Sequence, residues 1–252
     1  MIDLKGRVAL ITGGNRGIGF ATAMLFAKAG ATVAITYSQD QRSSAVACRS
    51  LAKNGGIVSV LKLKIQEMKS CRSAVREVIQ RYGRIDILVN NAGIWEESAL
   101  ADMTFKAWKR TIDINLTGTF NMCKAVLPTM HRQKYGRIVN ISSTAGQRGE
   151  AFHSHYAATK GAIIAFTKSI AVELIPSGIR VNCVAPGWVD TKMTARAISN
   201  TYLRRKIERS IPKGKIATAE EIAGPILFLC SPLADHIVGE VLNVNGGSVL
   251  CG

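Results

Sequence analysis

Acidic side chains are in short supply in this chain: 17 Asp and Glu face 33 Lys and Arg, which leaves a formal net charge of +16 at pH 7. Such a balance suits anionic partners, nucleic acid among them. Yet the basic residues are spread along the sequence, no nucleic-acid-binding module is recognisable and aromatic residues make up only 6%. The charge therefore reads as a solvated basic face, and no nucleic-acid partner is expected. Cysteine is sparse as well. Cys48, Cys71, Cys123, Cys183, Cys230 and Cys251 are scattered, without a C-x-x-C pair, and read as reduced filler among apolar neighbours. His131, His153, His155 and His236 lack metal-ligand spacing, so no catalytic metal is expected. His153 and His155 read as solvated loop residues, with a place in a substrate pocket as the alternative.

Proline is rare, with 6 in the chain, and no Pro/Ser-rich stretch or break in composition divides it. The sequence predicts one domain over residues 1–252. No apolar run approaches the roughly 20 residues needed to cross a bilayer, which excludes a membrane helix. Met1 stands directly before the first strand-like run, without a charged leader or cleavage site, and the expected location is the cytoplasm.

Glycine, by contrast, is plentiful and well placed. The apolar run Val8 to Ile11 feeds Thr12-Gly13-Gly14-Asn15-Arg16-Gly17-Ile18-Gly19 and then a helical pattern from Phe20 to Ala29. A strand, a glycine turn and a helix in that order let a pyrophosphate approach backbone amides at a helix N-terminus, where unpaired N–H groups and the helix dipole favour an anion. Strand-like runs recur at Thr32 to Thr36, Ile57 to Leu63, Ile85 to Val89, Arg137 to Ile141, Ile179 to Val184 and Val241 to Val244, with longer helical patterns between them. Gly30, Gly55-Gly56, Gly83 and Gly178 fall where helices should end. Apolar strands joined by helical crossovers imply an α/β fold, a Rossmann-like doubly wound parallel sheet with helices on both faces.

The run from His155 to Lys160 places Tyr156 four residues before Lys160, and Ser143 lies thirteen positions before the tyrosine. Residues four apart share a helix face, so the ammonium is expected to favour the ionised phenol and to bring its pKa down toward neutrality. Such a phenol exchanges a proton with a carbonyl or alcohol oxygen.

Together these motifs resemble the classical short-chain dehydrogenase/reductase family, and in the family's order: the Thr12 to Gly19 turn, Asn90-Asn91-Ala92-Gly93, Asn115, Ser143, Tyr156 with Lys160, and Pro186-Gly187 followed by Thr191. The resemblance spans essentially the whole chain. It implies Tyr156 as acid/base, Ser143 as hydrogen-bond donor to the substrate oxygen, Lys160 as partner of the phenol and of the nicotinamide ribose, and Asn115 as holder of a relay water. It implies a cofactor site at Gly13, Asn15, Arg16, Gly17, Ile18 and Gly19. Thr36, Tyr37 and Ser38 would continue it, followed by Lys64, Ile65, Asn91, Ala92 and Gly93, and by Pro186, Gly187, Val189 and Thr191. No acid stands at Thr36 to Ser38 to bind a ribose diol, and Arg16 resembles the arginine that meets a 2′-phosphate, so NADP(H) is the implied cofactor. Family members usually carry an aspartate near the adenine where this chain has Lys64.

A substrate lid is implied over about residues 190–215, where Lys192, Arg196, Arg204, Arg205, Lys206, Arg209, Lys213 and Lys215 outnumber Asp190 and Glu208. Within the family the likeness is greatest to members that reduce 3-oxoacyl groups held on an acidic acyl carrier protein. His131 to Lys134 would suit its docking, although the usually basic position before Gly178 is Ser177. A coenzyme A thioester, free ketone, sugar or steroid stays open as substrate, with Trp95 and Trp188 near the expected pocket. The family also implies a homotetramer.

Overall fold

The computed structural model describes residues 2–53 and 58–251. Seven strands form one parallel sheet in the order β3-β2-β1-β4-β5-β6-β7. They are β1 Val8–Ile11, β2 Thr32–Tyr37, β3 Val58–Lys62, β4 Ile87–Asn90, β5 Gly136–Ile141, β6 Ile179–Pro186 and β7 Val241–Val244. The expected strands are all present, with β4 starting later and β6 running further than the apolar pattern suggested. The expected turn at Gly55-Gly56 lies outside the described residues.

Helices cover both faces, as crossovers between parallel strands require. The helices are α1 Gly17–Lys28, α2 Gln41–Lys53, α3 Met68–Tyr82, α4 Phe105–Thr111, α5 Gly118–Gln133, α6 Thr144–Arg148, α7 Ser154–Leu174, α8 Ala195–Ile198, α9 Thr201–Arg209 and α10 Ala219–Cys230. Strand β1 shows why the runs are apolar throughout. Ala9 and Ile11 join a core with Phe26 of α1 and Ile226 of α10, whereas Val8 and Leu10 join a second core with Val78 of α3 and Met122 of α5. Successive strand residues point to opposite faces, so a strand covered on both sides has no polar positions to spare. Asp86 is a charge buried at this end, and its carboxylate accepts from Val8 N–H and from Arg7 and Arg84.

The strand order reverses between β1 and β4. A doubly wound sheet binds its ligand in the crevice at that switch point, beyond the carboxyl ends of the strands. The glycine turn follows β1 and the Asn91 to Gly93 segment follows β4, so the two stand side by side at the crevice. Among the described residues, no helix is long and apolar enough to cross a membrane.

Cys71, Cys123, Cys183 and Cys230 are buried, Cys48 is half-buried and Cys251 is exposed. Burial pushes the Cys71 thiol up to about 11 and those of Cys123 and Cys183 to about 12, from an ordinary value of 9.0. Thiols raised in the folded state contribute stability that is fully present below about pH 9 and is lost as the pH climbs toward the folded values. Lys160 works in the opposite sense between about 8 and 10.5 but is a single group. Thermal unfolding under reducing conditions should therefore show a Tm that falls between about pH 9 and 11. A flat or rising Tm would contradict this.

Candidate active site

The crevice is a cavity of about 920 Å³ that runs from the end of β2 to the start of α7. At its cofactor end the turn after β1 has room for backbone only. A Cβ at Gly19 would lie 2.4 Å from Gly13 O, and one at Gly14 would lie 2.6 Å from Ile35 Cγ2. Gly13 and Gly17 have φ of +63° and +53°, which side chains rarely tolerate. The turn is tied to β4 by Asn91, whose Nδ2 donates to the carbonyls of Thr12 and Gly13, while Thr12 Oγ1 accepts from the Asn91 and Ala92 amides. At the start of α1 the N-cap Arg16 makes no side-chain capping bond, and the first turn carries no acid. Its amides and dipole are therefore available to an anion. The residues present fit a dinucleotide pyrophosphate.

Gly13, Asn15, Arg16, Gly17 and Ile18 border the cavity, as do Thr36, Tyr37, Ser38, Lys64 and Ile65 along the β2–β3 side. Asn91, Ala92 and Gly93 line it after β4, and Pro186, Gly187, Val189 and Thr191 after β6. Gly19 packs beneath the turn and does not border the space.

At the catalytic end Ser143, Tyr156 and Lys160 border the same cavity. Ser143 caps α6, its Oγ accepting the Ala145 amide at 3.1 Å, so the hydroxyl proton stays free to be donated. Ser142, the rival serine, is committed elsewhere: its hydroxyl donates to Lys160 O at 2.7 Å. Lys160 donates from Nζ to Ile141 O at 2.7 Å and lies 5.6 Å from the centroid of the Tyr156 ring. A buried contact sets the spacing of these groups. A Cβ on Gly146 of α6 would lie 2.4 Å from Lys160 C and 2.6 Å from Gly161 N, both backbone atoms of α7. Gly146→Ala should therefore cost about 1–3 kcal/mol, several degrees in Tm. It should also lower kcat/KM by moving Ser143 away from Lys160. Tm and kcat/KM matching the parent would refute this.

A family model described as enoyl-(acyl carrier protein) reductase matches residues 13–248. The 3-oxoacyl-(acyl-carrier-protein) reductase of Aquifex aeolicus is 42% identical over 246 residues, 98% of each chain. That of a Synechocystis strain is 38% identical over 251 residues, 99% of this chain and 100% of the other. A solved structure from Brucella melitensis, described as a short-chain dehydrogenase/reductase of the glucose/ribitol dehydrogenase kind, superimposes with a TM-score of 0.91 at 34% identity, covering 99% of each chain. The chain belongs to the short-chain dehydrogenase/reductase family. It is an oxidoreductase that uses a nicotinamide cofactor.

Several expectations need correction within this short-chain dehydrogenase/reductase. Burial pushes the Tyr156 phenol up to about 12 rather than down, with Ser143 lowering it and the Glu150 charge raising it. Burial also pushes the Lys160 ammonium down to about 8, and its Nζ donates to Ile141 O. Asn115 sits in a π-helical turn, Ile112–Thr117, with both polar atoms of its side chain bonded. Its Oδ1 accepts the Ile94 amide at 2.8 Å, and its Nδ2 donates to Ile94 O and Thr159 Oγ1. It therefore ties the segment after β4 to α7, and the second lone pair of Oδ1 is the acceptor its side chain leaves open. Such wider turns concentrate at functional sites.

His153 and His155 are buried, not solvated, and neither borders the cavity. His153 lies flat behind Trp95, ring centroids 4.4 Å apart. The Lys64 ammonium reaches the cavity edge but is paired with Glu67 at 3.2 Å, so its contribution to a positive cofactor site is reduced. In the 190–215 segment Arg204 is held by Asp190 and Glu208, and Lys213 and Lys215 both meet Glu221 of α10. Three of the eight basic residues are thus neutralised. An acid near β2 was also missed. Asp40 caps α2 through Ser43 N, and its charge interacts with Lys192 and Arg16 without bordering the cavity. Its position two residues beyond Ser38, ahead of a helical pattern, is the signal that would have found it.

Proposed function

We propose that the protein reduces 3-oxoacyl thioesters to 3-hydroxyacyl thioesters with NADPH, in one catalytic domain whose substrate lid is the 190–215 segment. The observation that carries this is the convergence of Ser143, Tyr156 and Lys160 at one end of a cavity whose other end is a glycine turn open to an anion. The Tyr156 O–H gives its proton to the substrate oxygen, and the Ser143 hydroxyl donates a hydrogen bond to the same oxygen as negative charge builds there. A phenol held near 12 is protonated throughout the neutral range, which suits the reductive direction. The bound nicotinamide supplies the hydride. Lys160 holds the ribose hydroxyls beside it.

For NADP over NAD the support is charge. Arg16 and Lys192 stand at the adenosine end, and Tyr37 and Ser38 rather than an acid end β2. The Aquifex and Synechocystis reductases act on carrier-bound substrates by their names, and an acidic acyl carrier protein is the partner that this chain's basic surface supports. His131, Arg132 and Lys134 are exposed, whereas Gln133 is turned inward to bond Ile85. Assembly as a homotetramer is supported by exposed Phe120 on α5 and Val172 on α7. Oxidation of NADPH and of NADH in the presence of acetoacetyl-CoA tests the reading. Turnover selective for NADPH is expected. Tight cofactor binding without turnover would reject the thioester.

A further inference from the structure

Glu150 places a carboxylate at the substrate end of the cavity of a strongly basic protein. It borders the same space as Ser143, Tyr156 and Trp188. The other acid there, Asp113, is paired with Lys109 at 2.6 Å. Among the described residues Glu150 has no Lys or Arg within ion-pair distance. Its Oε2 accepts from Trp95 Nε1 at 3.3 Å, and its Oε1 lies 3.8 Å from His153 Nδ1, which itself faces Ala151 O at 3.0 Å. The carboxylate is held, then, by the indole, with the imidazole beyond hydrogen-bond reach, and not by a cation. It keeps most of its lone pairs.

The surroundings fix it in place. Trp95 is stacked flat on His153 at an interplanar angle of 2° and meets Trp188 edge-on at a centroid distance of 5.9 Å. The cavity rim nearby is basic, with Lys106 and Arg148. An incoming molecule with a charged arm thus meets positive charge at the mouth and negative charge inside.

We propose that Glu150 determines specificity by excluding free 3-oxo acids while admitting uncharged 3-oxo groups, to which it offers a hydrogen-bond acceptor for an amide or hydroxyl. This rests on the reductase reading. A ketone oxygen held by Tyr156 and Ser143 leaves the carboxylate of a 3-oxo acid only two bonds from the reacting carbon. That second charge has to lie within a few ångströms of the same floor, where like charges repel. A thioester or ester carbonyl at the same place carries no charge. The Glu150 charge already reaches this floor, since it raises the Tyr156 phenol.

The test compares acetoacetate with ethyl acetoacetate in the parent and in Glu150→Gln, which keeps an oxygen to accept from Trp95. In the parent kcat/KM should favour the ester. In the variant the ester-to-acid ratio should fall at least tenfold, mainly through a lower KM for the acid. Equilibrium binding, read by quenching of tryptophan fluorescence, should show the same gain for acetoacetate without requiring turnover. Trp95→Phe removes the indole donor but leaves the carboxylate, and it should keep the discrimination against the acid. An equal effect of Glu150→Gln on both compounds, or no gain in acetoacetate binding, would overturn the proposal and leave Glu150 as a prop for Trp95. Failure of the parent to oxidise NADPH with either compound would instead strike the reductase reading, which the binding titration does not depend on.

Discussion

Replacing Tyr156 with phenylalanine should lower kcat for carbonyl reduction by about 100- to 10,000-fold, the usual worth of a positioned general acid. The affinity for NADPH should change little, because the ring stays in place and the glycine turn, Asn91 and Arg16 are untouched. The size of the effect follows from the local inventory. Ser143 is the hydroxyl that remains near the substrate oxygen, since Ser142 donates to Lys160 O. A serine steadies developing charge but is a far weaker acid than a phenol. Steady-state rates together with a cofactor-binding titration separate chemistry from folding. Activity within tenfold of the parent would mean that another group delivers the proton.

The second large effect concerns the choice of cofactor. Arg16→Ala should weaken NADPH binding roughly ten- to hundredfold, since hydrogen bonds to charged groups are worth about 1.5–3 kcal/mol. NADH binding should be nearly unaffected. Arg16 is exposed at the N-cap of α1, and its side chain is not spent on capping. The Asp40 charge, which interacts with both Lys192 and Arg16, competes for the same guanidinium and places the expected loss toward the lower end of that range. Dissociation constants for both cofactors in parent and variant decide the matter. Equal weakening of NADPH and NADH would mean that Arg16 supports the turn and does not read a phosphate.

Much of the fold was legible because the physics that builds it is local. Strands buried on both faces read as unbroken apolar runs, and the glycine at the end of a helix reads as a stop: Gly83 closes α3 with φ of +74° and an N–H bonded to Ile79 O. The catalytic trio was legible for a related reason, since spacing along one helix and one strand end carries Tyr156, Lys160 and Ser143 to the same cavity. What escaped depends on contacts between segments far apart in sequence. Nothing local in the sequence shows that the Asn115 side chain bonds Ile94 and Thr159. The rise of the phenol pKa comes from burial, which the spacing of a Tyr and a Lys does not report. Gly146 carries no local signal of its role, although two helices meet there without room for a methyl group. Glu150 drew no attention because nothing nearby in sequence shows that α7 and the segment after β4 would leave it without a cation.

Hydride delivery to the 3-oxo carbon is the central claim, and isotope transfer tests it most directly. The protein is incubated with NADPH deuterated on the transferred face of the nicotinamide and with acetoacetyl-CoA, and the product is examined by mass spectrometry. The account predicts a 3-hydroxybutyryl thioester carrying one deuterium at C3. An unlabelled product, or unchanged substrate in the presence of bound NADPH, would contradict it.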